Sequence, residues 1–412
     1  MTIIEELKYR ELLYAVTDEE LEKRLENETM TFYFGADPSG DSLHVGHLVG
    51  YLVARRLTER GHRAILLIGG GTGLIGDPSG KSEERNLLTL EETMKNAESL
   101  AAQARTILPN ATIVNNYDWL KNYDLFRFLR DIGKHFGLNY MLAKDSVKSR
   151  LEQGISFTEF SYQIIQSIDF LELYQSHNCR LQIGGQDQWG NITAGLELIR
   201  KSLGSDHKAY GLVIPLITKA DGSKFGKTAG EAVWLDPKRT TPYEFYQYWL
   251  NLDDQEANLR IKQFTSLSKE AISTIQEAMR ETPHLRHAQK AIAEELTALI
   301  HGDEALKQVQ KISNALFYND VKGLSLAEIE MGFKGVKSIA VDEDIALVDG
   351  LIEVGLASSK REARTFIKQN AIAVNGEKVS DEDALIKKVS ALHETYSIIK
   401  RGKKLYGVIK HQ

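Results

Sequence analysis

Two short segments of the chain carry residue types suited to binding phosphate groups. The first, His44-Val45-Gly46-His47, places its two imidazoles three residues apart, so that both lie on one side of a helical turn. Donors at a helix N-terminus favour phosphate oxygens, and Gly46 allows a flat base to approach the backbone. Asp37-Pro38-Ser39, just upstream, adds a turn and a hydroxyl group. By itself, this pattern also fits two surface histidines near a turn.

The second segment is Lys224-Phe225-Gly226-Lys227-Thr228, preceded by Lys219-Ala220-Asp221-Gly222-Ser223. Glycines in both halves predict a mobile loop. Two lysines and a threonine offer donors for a polyphosphate, although a solvated basic loop has the same composition. The pairing of HVGH with KFGKT in one α/β pattern favours a nucleotide site.

A third set of polar residues is spaced for one face of a helix. Tyr162, Gln166 and Asp169 stand at positions i, i+4 and i+7, and most of their neighbours are apolar. Burying such a stripe is costly unless something pairs with it. The alternatives are a stripe that faces solvent and a bound molecule whose hydroxyl and ammonium groups satisfy all three side chains.

The segment GGGTGLIGDPSGKSEER (69–85) provides backbone freedom and amide groups that can face a ligand. It is not a P-loop, because the required order GxxxxGK[ST] does not follow a strand correctly. Asp77 within it fits either a turn residue or a ligand contact. The single cysteine, Cys179, excludes an internal disulfide and a multi-cysteine zinc site, and we interpret it as a buried apolar residue.

The elements that must position these residues alternate between strands and helices over 31–219. The segments TFYFG (31–35), AILLIGG (64–70), RLQIGG (180–185) and YGLVIPL (210–216) predict strands, and a helix is expected from about Val45 to Arg60. This pattern predicts an α/β fold with a doubly wound parallel-sheet (Rossmann-type) domain, whose ligands lie beyond the carboxyl ends of the strands. Residues 241–316 have helical periodicity, about 318–345 are expected to form a polar irregular connector, and 346–412 are expected to form a small α+β module.

Charge is distributed unevenly along the 412 residues, whose net charge is −6. From Leu356 to Gln412 there are 12 Lys and Arg against 6 Asp and Glu, a net +6, so the remainder carries −12. A basic module on an acidic body suits a local polyanion contact. The N-terminus is charged and lacks an apolar signal core, and no apolar run approaches the roughly 20 residues of a membrane span. The expected location is the cytoplasm.

The whole chain resembles the class I aminoacyl-tRNA synthetases, whose signature motifs have the forms HIGH and KMSKS. It is most similar to the bacterial tyrosyl enzymes, in which the second motif commonly reads KFGKT. The similarity runs through GADPSGDSLHVGHL, GLIGDPSGKSEER, GISFTEFSYQIIQSIDFLELY, QIGGQDQWGNITAGLELIRK and TKADGSKFGKT. The C-terminal GLASSKREARTFIKQNAIAVNGEKV resembles the S4-type RNA-binding domain.

This resemblance implies four segments and a role for each site residue. The segments are a Rossmann-type catalytic domain (1–220), the KFGKT loop with an α-helical domain (221–320), a linker (321–345) and an S4-like RNA-binding domain (346–412). The implied tyrosine contacts are Tyr33 and Asp169 for the hydroxyl, Asp77, Tyr162 and Gln166 for the ammonium, and Asp37 and Gln188 for orientation. The implied ATP contacts are His44 and Ser39 for the terminal phosphate, Gly46, His47, Asp187, Leu216 and Ile217 for the nucleoside, and Lys81, Arg85, Lys224, Lys227 and Thr228 for pyrophosphate. The basic residues expected to meet tRNA are Lys360, Arg361, Arg364, Lys368, Lys400, Arg401, Lys403 and Lys404.

The implied reaction joins L-tyrosine to ATP as tyrosyl-adenylate and then transfers tyrosine to tRNA(Tyr). Mg²⁺ is expected to accompany ATP without a dedicated protein site, and a homodimer is expected through residues 125–160. Three other readings share part of the pattern: the tryptophanyl relatives, a small-molecule nucleotidylyltransferase, and a non-catalytic RNA-binding protein. The tryptophanyl relatives are disfavoured by Tyr33 and Asp169, because an indole has no para-hydroxyl to pair with them. The nucleotidylyltransferase is disfavoured by the S4-like tail and the KFGKT loop. The non-catalytic protein is disfavoured by the intact HVGH and KFGKT motifs. Departures from the family pattern are Ser39 for a common Thr, Gly50 after HVGH, and Gln186 for a common Ser.

Overall fold

A six-stranded sheet forms the centre of the first of two compact units, which comprises Met1–Thr240 and Tyr248–Ile300. The computed structural model describes residues 1–79, 88–148, 154–219, 222, 225–228, 231–402 and 405–412. The strand order is β1-β6-β5-β2-β3-β4, in which β1 is antiparallel to β6 and the other pairs are parallel. The strands are β1 (Ala15–Val16), β2 (Thr31–Ala36), β3 (Arg63–Ile68), β4 (Thr112–Asn115), β5 (Cys179–Gly185) and β6 (Tyr210–Ile214). The predicted doubly wound α/β architecture is confirmed.

Helices cover this sheet and extend beyond it. They are α1 (Ile3–Tyr9), α2 (Glu20–Asn27), α3 (Val45–Glu59), α4 (Leu90–Ile107), α5 (Tyr117–Leu120), α6 (Leu125–Arg127), α7 (Leu138–Leu142), α8 (Asp145–Lys148), α9 (Phe157–His177), α10 (Trp189–Leu203), α11 (Pro242–Leu250), α12 (Asp254–Phe264), α13 (Lys269–Glu281) and α14 (His287–His301). A short hairpin joins β7 (Lys227–Thr228) to β8 (Glu231–Ala232). The four strands and the helix that the sequence predicts are all present, and β1 and β4 are additional.

Helix α9 carries the polar stripe, and its ends have clear local causes. The Ser156 side chain accepts a hydrogen bond from the Glu159 amide at the N-terminus, which satisfies one of the free donors there. At the C-terminus, Asn178 adopts a left-handed conformation with φ of 50°, a geometry that ends helices and that asparagine tolerates. Along its length α9 buries Ile168, Phe170 and other apolar residues in the core of this unit.

The second compact unit comprises Thr241–Gln247 and His301–Gln412. Its elements after α14 are α15 (Asp303–Tyr318), α16 (Leu326–Gly332), β9 (Ser338–Val341), β10 (Ile345–Ala346), α17 (Leu347–Glu353), α18 (Lys360–Lys368), β11 (Ile372–Val374), β12 (Glu377–Lys378), β13 (Leu385–Ile386), β14 (Tyr396–Arg401) and β15 (Leu405–His411). A five-stranded sheet has the order β12-β11-β14-β15-β9, with β9 parallel to β15.

The stretch that the sequence suggested was an irregular connector, about 318–345, is largely structured. Helix α16 begins with a capping box at Ser325, and strand β9 adds to the edge of the five-stranded sheet. The sequence does not predict this strand, because β9 has only four residues and two of them are exposed. Among the helices of the described residues, none is long and apolar enough to cross a membrane.

Candidate active site

The two histidines of HVGH are fixed at the start of α3 by reciprocal hydrogen bonds. Nδ1 of His44 accepts from the Gly46 amide at 3.0 Å, and Nδ1 of His47 accepts from the His44 amide at 3.2 Å. The rings stack with their centroids 3.8 Å apart. Burial, together with the neighbouring His44, lowers the pKa of His47 to about 3. Since Nδ1 is an acceptor in both rings, the proton of each neutral imidazole lies on Nε2, where it can be donated to an oxygen.

The KFGKT segment lies directly against this helix start. Gly226 has φ of +86°, and a Cβ atom there would lie 3.2 Å from the backbone nitrogen of Gly46. The Val45 amide donates to the Val233 carbonyl at 2.9 Å, and the Val233 amide donates to the Gly226 carbonyl at 2.8 Å. A glycine is therefore required at 226 both for its conformation and for the close approach. The fold brings together two motifs that stand 180 residues apart in the chain, counted from Gly46 to Gly226.

Some of the predicted phosphate ligands do not belong to the part of the chain that the structure describes. Lys81, Arg85 and Lys224 lie outside the described residues, and Lys227 and Thr228 are described by their backbone only, as strand β7. Ser39 is placed by its amide, which donates to the Asp37 carbonyl at 2.8 Å.

A buried acid lies opposite a buried phenol beneath the carboxyl ends of the strands. Asp169 receives a hydrogen bond from Asn116 Nδ2 at 2.9 Å on Oδ2 and from Trp119 Nε1 at 2.8 Å on Oδ1. Burial raises the pKa of Asp169 to about 8 despite these two donors. Burial and the nearby Asp169 raise the pKa of Tyr33 well above its ordinary value. The Tyr33 hydroxyl is buried and has no hydrogen-bond partner among the described residues.

A second acid, Asp37, belongs to the same hydrogen-bond network. Asp37 accepts from Thr72 Oγ1 on Oδ1 and from the Tyr162 hydroxyl on Oδ2, both at 2.7 Å. Asn116 also donates to Thr72 Oγ1 at 2.9 Å, which links the two acids through two side chains. Gly69 is needed here because a Cβ atom would lie 2.0 Å from Asp37 Oδ1.

Amide side chains close the other side of the pocket. Gln188 Nε2 donates to Asp77 Oδ2 at 2.7 Å, and Gln166 Nε2 donates to Gln188 Oε1 at 3.3 Å. Asn191 Nδ2 donates to Gln166 Oε1 at 2.9 Å and to Gln188 Oε1 at 3.0 Å. All three residues of the α9 stripe thus bond to pocket residues that come from other elements or their flanking turns.

The remaining residues expected near the nucleoside follow strands β5 and β6. Asp187 Oδ1 lies 2.6 Å and Leu216 Cδ2 lies 3.9 Å from the position that a Cβ atom of Gly185 would occupy. The Ile217 carbonyl accepts from the Phe225 amide at 3.4 Å. These residues therefore converge at one edge of the sheet, beside the start of the KFGKT segment.

The side chains of Thr72, Asn116, Trp119 and Asn191 donate hydrogen bonds to predicted site residues but were not themselves predicted from the sequence. Asn116 and Trp119 follow β4, a strand that the sequence pattern did not indicate. A polar run directly after a strand is the signal that could have found them.

The basic residues expected to meet RNA lie in the second unit. On α18, Lys360 pairs with Asp349 at 2.7 Å, while Arg364 and Lys368 pair with Glu382 at 3.8 and 3.0 Å. The side chains of these three cations are 56–67% exposed, so their pairs are weak and can be exchanged for phosphate. Arg361 on the same helix is also exposed.

The second basic cluster is partly engaged within the fold. Arg401 donates to the Leu356 carbonyl and lies over the Phe366 ring at 4.6 Å. Lys400 donates to the Leu316 carbonyl at 3.1 Å. Lys403 and Lys404 lie outside the described residues.

Comparison with known families agrees with this fold. The model of class I tRNA synthetases (W and Y) matches residues 25–318, so the chain belongs to that family. The model of the tyrosine–tRNA ligase SYY-like C-terminal domain matches residues 328–409.

Two relatives that align over the full length carry the name tyrosine–tRNA ligase. Tyrosine–tRNA ligase 1 of Bacillus cereus is 54% identical over 419 aligned residues, and tyrosine–tRNA ligase of Listeria innocua is 51% identical, each covering 100% of both chains. Among solved structures, a C-terminally truncated mitochondrial tyrosyl-tRNA synthetase of Aspergillus nidulans has a TM-score of 0.70 and 30% identity, covering 77% of this chain and 94% of that one. The tyrosyl-tRNA synthetase of Archaeoglobus fulgidus, at 18% identity and a TM-score of 0.55, covers 75% of this chain and 99% of that one and shares the fold.

Proposed function

We propose that this chain is a tyrosine–tRNA ligase, which activates L-tyrosine with ATP and transfers the tyrosyl group to tRNA(Tyr). The observation that carries the assignment is the buried Tyr33 hydroxyl, which has no hydrogen-bond partner among the described residues and lies within electrostatic reach of the buried Asp169 carboxyl group. A substrate phenol would give the Tyr33 hydroxyl a partner and donate to Asp169. An indole or a phenylalanine ring has no hydroxyl at that position, so the buried Tyr33 hydroxyl would remain without a partner, at a cost of about 1–3 kcal/mol, and Asp169 would keep only its two neutral donors, Asn116 and Trp119.

The other end of the pocket suits the amino acid head group. Asp77, Tyr162 and Gln166 supply oxygen acceptors for the ammonium, and Asp37 and Gln188 hold these acceptors in place through the hydrogen bonds described above. The carboxylate would then point toward HVGH. This arrangement supports the orientation of tyrosine with its reacting group beside the ATP site.

In the first step, a tyrosine carboxylate oxygen attacks the α-phosphorus of ATP, and the bond to pyrophosphate breaks. The carboxylate is ionised near pH 7, so the step needs no general base. Catalysis comes from placement and from donors aimed at the departing pyrophosphate. His44 supplies Nε2–H to that charge, with Ser39, Lys81, Arg85, Lys224, Lys227 and Thr228 as further donors, while Gly46, His47, Asp187, Leu216 and Ile217 line the nucleoside.

In the second step, a hydroxyl of the terminal tRNA ribose attacks the carbonyl carbon of the adenylate. The bond to AMP breaks, and the hydroxyl proton is released. Mg²⁺ would arrive with ATP, because it is commonly held by substrate phosphates and one or two carboxylates. Within the described residues, no group of three or more His, Cys, Asp and Glu side chains is arranged to hold a metal.

The assembly and location belong to the same proposal. Among the described residues from 125 to 157, seven large apolar side chains are 38–81% exposed: Leu125, Phe126, Leu129, Leu138, Tyr140, Leu142 and Phe157. Such a concentration on one stretch supports a homodimer formed through residues 125–160. Phe126→Asp should shift the sedimentation coefficient from dimer to monomer, and an unchanged value would contradict this interface. We place the enzyme in the cytoplasm, with the S4-like module as its tRNA contact.

ATP–pyrophosphate exchange tests the whole assignment. Exchange should depend on tyrosine and should be nearly absent with phenylalanine or tryptophan, and the enzyme should charge tRNA(Tyr). Exchange that responds to tryptophan would indicate the other branch of the family. Exchange without tRNA charging would indicate a nucleotidylyltransferase, and no exchange would indicate a binding protein.

A further inference from the structure

The KFGKT segment is anchored through its phenylalanine, which is 5% exposed. The Phe225 ring lies among Tyr248, Trp249 and Phe264, with centroid distances of 5.8, 5.8 and 5.6 Å. The Gly226 amide donates to the Tyr248 hydroxyl at 3.1 Å. The anchor therefore joins the motif to helices α11 and α12.

One buried guanidinium completes this anchor. Arg260 on α12 is 2% exposed and lies over the Phe225 ring, with its central carbon 4.4 Å from the centroid. Its Nη2 donates to the Thr218 carbonyl at 2.5 Å. Arg260 therefore contacts one residue before and one residue after positions 219–224.

The guanidinium is itself held in one orientation. Nε donates to Glu256 Oε2 at 2.8 Å, and Nη1 donates to Gln263 Oε1 at 2.7 Å, both from the same helix. Glu256 and Gln263 are 8% and 3% exposed, so solvent screens these bonds little. A planar guanidinium suits this site because it donates in several directions and stacks on an aromatic face, which an ammonium group cannot do equally well.

Two other buried arginines bind the segment that follows α12. Arg56 on α3 donates from Nη2 to the Thr265 carbonyl, just beyond the C-terminus of α12, at 2.6 Å. Arg10, which caps the C-terminus of α1, donates to the same carbonyl at 3.0 Å. These two arginines bind the residue after α12, whereas Arg260 contacts Thr218 and Phe225 on either side of positions 219–224.

We propose that Arg260 is a positioning residue for tyrosine activation, which fixes Phe225 and Gly226 against the start of α3 and so sets the KFGKT motif relative to HVGH. This inference rests on the proposed function. Arg260 acts through Phe225 and Thr218 and does not touch the substrates. Loss of Arg260 should therefore slow adenylate formation. The tyrosine affinity should stay unchanged, because Arg260 does not contact the proposed tyrosine-binding residues.

The test compares Arg260→Met with Arg56→Met in the full-length enzyme. Both variants remove a buried guanidinium that binds a backbone carbonyl, but only Arg260 contacts Thr218 and Phe225. Arg260→Met should lower the single-turnover rate of tyrosyl-adenylate formation about tenfold to a hundredfold, with the tyrosine Kd within about twofold of wild type. Arg56→Met should lower the thermal midpoint but keep the rate within about threefold.

A double-mutant cycle shows whether Arg260 acts through the motif. In a Lys227→Ala background, Arg260→Met should slow the reaction by less than about threefold, because the same interaction has already been lost. A folded Arg260→Met with the wild-type rate, fully additive effects, or an equal loss of rate in Arg56→Met would overturn the proposal.

Two milder variants decide the matter if Arg260→Met fails to fold. Tyr248→Phe removes only the hydroxyl that accepts from Gly226, and Phe225→Leu removes the aromatic face while keeping an apolar side chain. Both should slow adenylate formation and leave the tyrosine Kd unchanged, and normal rates in both would overturn the proposal. Tyrosine-dependent exchange by the wild-type enzyme is measured first, so a failure of the proposed function is seen separately from a failure of Arg260.

Discussion

The Tyr162 hydroxyl donates a 2.7 Å hydrogen bond to Oδ2 of Asp37, which joins the second turn of α9 to the residue that follows β2. The two residues are 125 positions apart, and their bond sets the wall of the pocket where the substrate ammonium is expected. Because Asp37 also accepts from Thr72, both carboxylate oxygens are oriented by neighbouring hydroxyls.

Tyr162→Phe should weaken tyrosine binding by about tenfold or more, since a hydrogen bond to a charged group contributes about 1.5–3 kcal/mol. Equilibrium dialysis with labelled tyrosine gives the Kd. Tyr174→Phe is the matched control, because Tyr174 lies on the same helix and its hydroxyl is near His207, outside the pocket. Equal tyrosine Kd values for Tyr162→Phe and Tyr174→Phe would contradict the assignment of Tyr162 to the tyrosine-binding site.

Asp169→Ala should abolish most tyrosine activation and reduce the preference for tyrosine over phenylalanine. The carboxylate is the proposed acceptor for the substrate hydroxyl, and without it Trp119 Nε1 loses its acceptor and Asn116 loses one of two acceptors. Exchange rates with each amino acid give the ratio of kcat/KM values. The isosteric Asp169→Asn should retain more activity than the alanine variant. A full preference for tyrosine in Asp169→Ala would refute the assignment.

Asp169 should also make stability depend on pH in a particular direction. Its pKa is raised from 3.8 to about 8, so between these values the unliganded folded state binds a proton that the unfolded chain releases. The stability from this group is therefore present below about pH 4 and is lost as the pH rises through about 8. Urea unfolding from pH 5 to 9 should show wild-type stability declining relative to Asp169→Asn. Parallel curves for the two proteins would contradict the raised pKa.

Neutralising α18 should separate tRNA charging from tyrosine activation. Replacing Lys360, Arg361, Arg364 and Lys368 by Gln removes four exposed cations, so tRNA affinity should fall and its dependence on salt should flatten. Pyrophosphate exchange should stay at the wild-type level, because every proposed tyrosine and ATP contact lies between Tyr33 and Thr228. The control replaces four exposed lysines of the first unit by Gln: Lys8, Lys23, Lys95 and Lys290. Equal loss of tRNA binding in the control would mean that only net charge matters.

Local sequence patterns do not predict the strand that lies before the S4-like module. Residues 318–345 are polar and lack strong periodicity, yet β9 pairs with β15, with Ser338 opposite Val408. Short edge strands form when a partner presents unpaired backbone groups, and that partner lies some 70 residues further along the chain, counted from 338 to 408. A truncation at 346, which the sequence alone suggests, would separate the two strands.

The sequence by itself determined the chemistry and the main elements. Apolar runs predicted the central strands β2, β3, β5 and β6, and helical spacing placed Tyr162, Gln166 and Asp169 on one face, because these signals depend on residues close together in the chain. The tertiary structure alone decided which groups orient the acids and how the two motifs meet. Asn116 reaches Asp169 across 53 positions, and Arg260 reaches Thr218 across 42. Such contacts follow from strand order and helix packing, which local periodicity does not contain.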